Sequence, residues 1–446
     1  LALLGHGGAL VLIDGAMDRR RLLGAMRASR ASAIVSIDAV MKRWPLVPPL
    51  WRMRRYSVDR ARPGVRALDG LAGDGGPAVS AGFPRLVEAD TPGVISFTSG
   101  TSGRAKGANR TTGILMAQHR ALARHLPLEP GDVDMTCFPA VVLHNLACGV
   151  TTVLPPLDLR HPATVDPPLV TEAMRRFGVT TMTGAPAYLT KLARHIVDSG
   201  EPPSTVRRVV AGGAPVPRRL CELLIEAFPR AEVVVVYGST EAEPISHVHA
   251  EEVRDTPGEG LLVGAPVAEV ELEVLTLPDS IERTWTPDEI AAARTPLGEV
   301  VVAGAHVNRD YFGDPGANAL NKLHEPGGKV WHRTRDVARV DDAGRLWLLG
   351  RVGDAIQHNG TLVHPLPVEA AVTALDGVRG AGLVAHDGAP EGELAVVADP
   401  AAVPAVRSRL ADLGLADLKL TVVDSIPVDV RHNSKVDRGA LRRALA

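Results

Sequence analysis

Between Leu169 and Gly238 the apolar positions alternate between two periods. LVTEAMRRF (169–177), PAYLTKLARHIVDSG (186–200) and PRRLCELLIEAF (217–228) repeat apolar residues at the spacing of one helix face. In the third of these Leu220, Leu223, Leu224 and Phe228 fall together, and the second opens on Pro186, where a helix has no use for the missing N–H. The runs between and after them, VTTMTG (179–184), RRVVAGGA (207–214) and AEVVVVYG (231–238), are apolar stretches of strand length. Strand and helix in alternation predict successive βαβ units, hence a parallel sheet with helices on both faces. Ligands of such sheets collect where strands end, and AGGAP (211–215) and YGSTE (237–241) stand there.

Elsewhere the pattern changes. The opening LALLGHGGALVLID reads as helix then strand, as if a domain were entered midway, so an N-terminal segment is expected to be missing. From Pro257 to Arg351 short β-rich pieces such as LGEVVVAG and GRLWLLGR predict a small β subdomain. The polar, turn-rich VGDAIQHNG then leads into PVEAAVTAL (helix), GAGLVAH and ELAVVA (strands), VPAVRSRLADL (helix) and LKLTVV (strand). This predicts an α/β protein with a domain over 1–351 and a small α+β domain over 352–446, the boundary lying near Val352 to Asp354.

Composition narrows the function. A chain of 446 residues is long enough for two or more domains, and 49 Lys plus Arg against 51 Asp plus Glu give a net charge of -2, too balanced to favour nucleic acid or an anionic membrane. No apolar run reaches a membrane span, and the start lacks the basic segment of a secretory signal. Cys137, Cys148 and Cys221 form no CxxC pair and no metal-ligand spacing, and read as core residues of a cytoplasmic protein. His358, His364 and His432 show no metal spacing either.

The candidate chemistry begins at FTSGTSGRAKGANR (97–110). Gly100, Gly103 and Gly107 permit turns that gather N–H groups on a concave surface, and Thr98, Ser99, Thr101 and Ser102 add hydroxyls, an inventory suited to a polyphosphate. A Walker A site is excluded, because Lys106 is followed by Gly107 and the spacing is wrong. Taken with GGAP (212–215), YGSTE (237–241), the segment around Asp336 and NSKVDR (433–438), the loop resembles the adenylate-forming superfamily of acyl-CoA synthetases, adenylation domains and luciferases, over nearly the whole chain.

The resemblance implies roles. Thr98 to Gly107, with Lys106, would hold the β- and γ-phosphates of ATP; Ala105 stands where a proline is usual. Gly213, Ala214 and Pro215 would lie against adenine and Tyr237 would stack on it, within a segment continuing through Gly238 and Ser239. Thr240 would bind the α-phosphate, and Glu241 would hold Mg2+, a hard cation that prefers oxygen. Asp336 would accept the ribose hydroxyls, with Arg335 where the motif has glycine, and Arg351 would contact ribose or phosphate. Lys435 would be the catalytic lysine, preceded by Asn433 and Ser434 instead of a glycine pattern. His144, in FPAVVLHNLACG, falls beside the family's acyl pocket or is a core histidine, and Gly353 with Asp354 would form the hinge.

YGSTEAEPIS, WHRTRDVARVDDAGRLWLLGR and PVDVRHNSKVDR are most similar to the β-lactone synthetases of bacterial olefin pathways. That branch implies a 3-hydroxy fatty acid as substrate, with pathway enzymes as partners. An acyl-CoA synthetase or fatty acyl-AMP ligase would share every nucleotide residue, and a truncated, non-catalytic binding module is a third reading that retention of Lys106 and Lys435 opposes.

Overall fold

A computed structural model describes residues 2–13, 17–69, 84–98, 105–158, 164–278, 281, 283–386, 389, 391–429 and 435–446. Its contacts divide the chain into two compact units, Leu1–Ala117 with Asn308–Lys322, and Gln118–Val307 with Leu323–Ala446.

In the first unit Leu10–Ile13 pairs in parallel with Pro92–Thr98, which turns back antiparallel onto Lys106–Thr111. Gly107 therefore lies inside a strand and is not a turn residue of the loop. A Cβ there would stand 3.0 Å from the Phe97 ring, so close packing explains the glycine.

The second unit contains a six-stranded sheet in the order Ala242–His249, Glu232–Ser239, Arg208–Gly212, Thr181–Gly184, Val133–Thr136, Thr151–Val153. All neighbours pair in parallel except the first two, which form an antiparallel hairpin. The helices Pro167–Phe177, Pro186–Ser199 and Arg218–Ala227 sit between strands as the periodicity predicts. Side chains alternate along each strand, so Met182, Val209, Ala211, Val233 and Val235 meet Met174, Leu189, Leu192, Leu220 and Leu224 of the helices in one core. Val210, Val234 and Val236 face the other way, toward Leu126 just beyond the helix Thr112–His125. Leu192 is fully buried, and burying a side chain of its size stabilises by about 1.5–3 kcal/mol.

A second sheet in this unit is antiparallel, ordered Leu261–Gly264, Leu346–Arg351, Val330–Val340, Leu297–Gly304, Val270–Leu275. Arg333 and Glu299, both buried, pair across it, the guanidinium donating to both carboxylate oxygens. Farther on, Val378–Ala385, Gly392–Ala398 and Lys419–Val422 form a three-stranded sheet with the helices Pro365–Thr373 and Val403–Asp412. Residues from Ile356 to Leu418 share a core cluster of their own, although the division into units keeps them with Gln118–Val307. Among the described residues no helix is long and apolar enough to cross a membrane.

Candidate active site

Strand register brings two of the motifs together. Gly212 is the partner of Val236 on the adjacent parallel strand, so the chain leaves both strands side by side at the same end. Gly213 takes φ +80° as it departs, a conformation that favours glycine. Gly212 is glycine for another reason: a Cβ would lie 3.0 Å from the Val236 carbonyl oxygen. Ala214 and Pro215 follow, half-buried. On the neighbouring strand Ser239 pairs with Ala242, leaving Thr240 and Glu241 as the two residues of a tight hairpin. Gly238 lies in the bulge before it, where a Cβ would approach the Ala242 carbonyl at 3.0 Å.

Tyr237 joins this end of the parallel sheet to the antiparallel one. Its hydroxyl donates to Asp336 Oδ2 at 2.9 Å, and Arg351 Nε lies 3.3 Å from Asp336 Oδ1. Burial, and then the Asp336 carboxylate, push the Tyr237 phenol well above its ordinary value, so it stays a donor. The aim of Asp336 comes from a bulge in Val330–Val340: Glu299 pairs with Val337 but Val301 with Arg333, leaving extra residues on the longer strand. Arg335 adopts φ +64° at this point, the left-handed geometry that the motif's usual glycine would accept without strain. Its neighbours use the polar groups the bulge frees. Thr334 Oγ1 donates to Val300 O at 2.9 Å, Asp336 N donates to Thr334 Oγ1 at 3.1 Å, Arg351 donates to Thr334 O at 2.9 Å, and Val352 N donates to Arg335 O at 2.9 Å. Arginine at 335 thus preserves the geometry rather than removing it.

At this strand end Ser239 Oγ and Arg351 Nε are among the buried side-chain polar atoms with no hydrogen-bond partner in the described residues, Arg351 Nε keeping its ion-pair approach to Asp336. Gathered beside an acceptor like Asp336, these two donors suit a polar ligand.

Lys435 is exposed, and its backbone is pinned to Asp429, whose carboxylate accepts from Lys435 N at 2.9 Å and whose N–H donates to Lys435 O at 2.8 Å. Three residues on, Arg438 opens the last helix and reaches inward. It donates to Glu369 Oε1 at 2.7 Å and Oε2 at 3.2 Å, and its Nε lies 3.2 Å from Asp354 Oδ2. Glu369 is buried and also accepts from Leu383 N at 2.9 Å. Burial raises the Glu369 pKa, and Arg438 opposes that rise. Gly353, before Asp354, takes φ +87° with nothing near where a Cβ would be. The sequence reading missed Arg438 and Glu369; a basic residue following Lys435 at helical spacing was the available signal.

In the first unit Thr98 ends its strand as the register partner of Lys106, so the segment expected to hold the phosphates runs between two paired antiparallel strands. Ser99, Gly100, Thr101, Ser102 and Gly103 lie outside the described residues, as do His432, Asn433 and Ser434. Lys106 Nζ stands 5.5 Å from the centre of the Tyr311 ring.

His144, on the helix Pro139–Cys148, is buried, with Nδ1 3.0 Å from His119 Nδ1 and Nε2 3.6 Å from Cys148 Sγ. Burial, with His119 nearby, pushes its pKa down to about 4, so it is neutral at physiological pH. Cys221 is buried as expected, but Cys148 is exposed and is not a core residue.

A family model described as AMP-binding enzyme matches residues 1–312. The olefin beta-lactone synthetase of Stenotrophomonas maltophilia is 30% identical over 99% of this chain and 82% of its own length, and that of Xanthomonas campestris is 29% identical over the same shares. Among solved structures, the amide bond synthetase McbA of Marinactinospora thermotolerans superposes with a TM-score of 0.79 at 26% identity, covering 100% of this chain and 86% of that one. The o-succinylbenzoate coenzyme A synthetase of Bacillus subtilis, solved with ATP and magnesium ion, shares the fold with a TM-score of 0.77 at 20% identity, covering 99% and 85%. The mixed α/β architecture, the strand-end motifs and these likenesses agree: the chain belongs to the AMP-binding enzyme family.

Proposed function

We propose that the protein activates a 3-hydroxy fatty acid with ATP and closes it to a β-lactone, releasing AMP and pyrophosphate. In the first step a carboxylate oxygen attacks the α-phosphorus and the bond to pyrophosphate breaks. In the second the acid's own 3-hydroxyl attacks the acyl carbon, the bond to AMP breaks, and the hydroxyl proton passes to solvent or a nearby base. Both reacting groups belong to one molecule, so holding it folded supplies proximity without a thiol acceptor.

Each residue has a task in this reading. Asp336 accepts the ribose hydroxyls, with Tyr237 and Arg351 fixing its carboxylate. Gly213, Ala214 and Pro215 line the adenine beside Tyr237, while Thr240 and Ser239 donate to the α-phosphate. Lys106 and the hairpin loop after Thr98 hold the outer phosphates. Lys435 places an ammonium where charge gathers on the attacking and transferred oxygens. Glu241, a carboxylate at a hairpin tip, fits a hard cation, and Mg2+ bound there would neutralise phosphate charge. His144 lies beside the acyl chain, and residues 352–446 act as a small lobe that turns about Gly353, a residue that, lacking a Cβ, can absorb a change of φ and ψ.

The observation that carries the nucleotide assignment is the convergence of Tyr237, Asp336 and Arg351 next to the strand ends bearing GGAP and YGSTE. The lactone assignment is supported by identity to two olefin beta-lactone synthetases across 99% of the chain. Exchange of labelled pyrophosphate into ATP, dependent on a 3-hydroxy acid, tests the adenylation half. Absence of exchange with any acid of a panel would refute it and favour a binding module.

A further inference from the structure

Among the described residues one group of three metal-ligating side chains converges, His119, His144 and Cys148, with one ligand atom from each lying within 4.8 Å of the others. Two of the three belong to one helix at i and i+4, so both project from the same face of Pro139–Cys148. The third comes from a different helix, Thr112–His125. We propose that His119, His144 and Cys148 form a binding site for a borderline divalent cation of the Zn2+ class, separate from any Mg2+ held with the nucleotide.

The two imidazoles approach one another at nearly the spacing such an ion sets. Bonds of about 2.0–2.1 Å from zinc set two nitrogens of a tetrahedral site roughly 3.4 Å apart, and His119 Nδ1 and His144 Nδ1 are 3.0 Å apart. Opening that pair by a few tenths of an ångström admits an ion between them. Cys148 Sγ stands 3.6 Å from Nε2, the other nitrogen of the His144 ring, so one ion takes all three ligands only once the His144 ring has turned to present a single nitrogen to both partners; the thiolate bond to zinc is then about 2.3 Å. Two imidazoles and a thiolate form a donor set that selects Zn2+, Co2+ or Ni2+ over Mg2+ and Ca2+, which prefer oxygen. Three protein ligands leave a fourth position open to water or to an oxygen of a bound molecule. Cation binding converts the Cys148 thiol to thiolate and releases its proton to solvent.

The rival arrangement is a metal-free hydrogen-bonded chain from His119 through His144 to Cys148. Titration of the untagged full-length chain, stripped with EDTA, with cobalt chloride under argon separates the two. We expect saturation at one Co2+ per chain, a near-ultraviolet thiolate charge-transfer band, visible bands of four-coordinate intensity, and release of one proton. Cys148→Ser, at an exposed position, loses the near-ultraviolet band; His119→Gln loses saturable binding; Zn2+ bleaches the spectrum and Mg2+ leaves it unchanged. No saturable spectrum in the parent chain, or one unaltered in both variants, overturns the site and leaves the hydrogen-bonded chain.

Discussion

Arg438 Nε lies 3.2 Å from Asp354 Oδ2 while the rest of its guanidinium grips the buried Glu369, so one side chain links the segment bearing Lys435 to the residue beside Gly353. Removing it leaves a buried carboxylate without its counter-charge. Arg438→Ala should lose about 3–5 kcal/mol of stability in urea denaturation, and Arg438→Lys, which keeps the charge but not the fork, should lose less. Near-identical denaturation midpoints for the parent and Arg438→Ala would show that the buried pair adds little.

The carboxylate of Asp336 accepts from Tyr237 and faces Arg351. Hydrogen bonds to a charged group contribute about 1.5–3 kcal/mol, so Asp336→Asn should raise the KM for ATP roughly 10–100-fold. Tyr237→Phe removes one neutral donor and should have a smaller effect on the same constant. Steady-state kinetics with ATP varied would report both, and an unchanged KM in Asp336→Asn would remove the residue from the ribose site.

Arg335 carries a left-handed backbone that costs an L residue about 1–2 kcal/mol. Arg335→Gly should therefore raise stability by about 1 kcal/mol, less the extra chain entropy of glycine. A rise in Tm with unaltered ATP affinity is the expected result. A fall in Tm would mean that the arginine side chain outweighs its backbone strain.

Burial pushes the Asp341 carboxyl up, but hydrogen bonds from Trp347 Nε1, Arg345 N and Arg345 Nε, each 2.9 Å, hold its pKa down at about 2. A carboxyl held below its unfolded value contributes stability that is complete above that value and lost as pH falls through the folded one. Asp341→Asn should accordingly cost about 2 kcal/mol at pH 7, and the difference from the parent should shrink between about pH 5 and 2. Denaturation series at several pH values would show it, and a difference independent of pH would contradict it.

The alternation from Leu169 to Gly238 was legible because each helix and strand there buries one face against the same core, and a one-sided demand leaves a periodic trace. The antiparallel strand Ala242–His249 left none, since AEPISHVH mixes polar residues with a proline. The bulge at Thr334 to Asp336 could not be read either, because arginine replaces the glycine that would have announced positive φ. Pairings across the chain were silent as well: Arg438 meets Glu369 from 69 positions away and His119 meets His144 from 25, and no local pattern encodes such contacts. Gly107 misled for a related reason, since a packing glycine and a turn glycine look alike in one dimension.

The reaction itself is the remaining test. Incubation of the protein with ATP, Mg2+ and a 3-hydroxy fatty acid, without CoA, followed by mass spectrometry of the lipid and quantification of AMP, should yield a product lighter than the acid by one water and one AMP per product. Lys435→Ala should slow this by about 10²–10³. Recovery of unchanged acid with no AMP from the unaltered protein, or a product formed only when CoA is supplied, would contradict β-lactone synthesis.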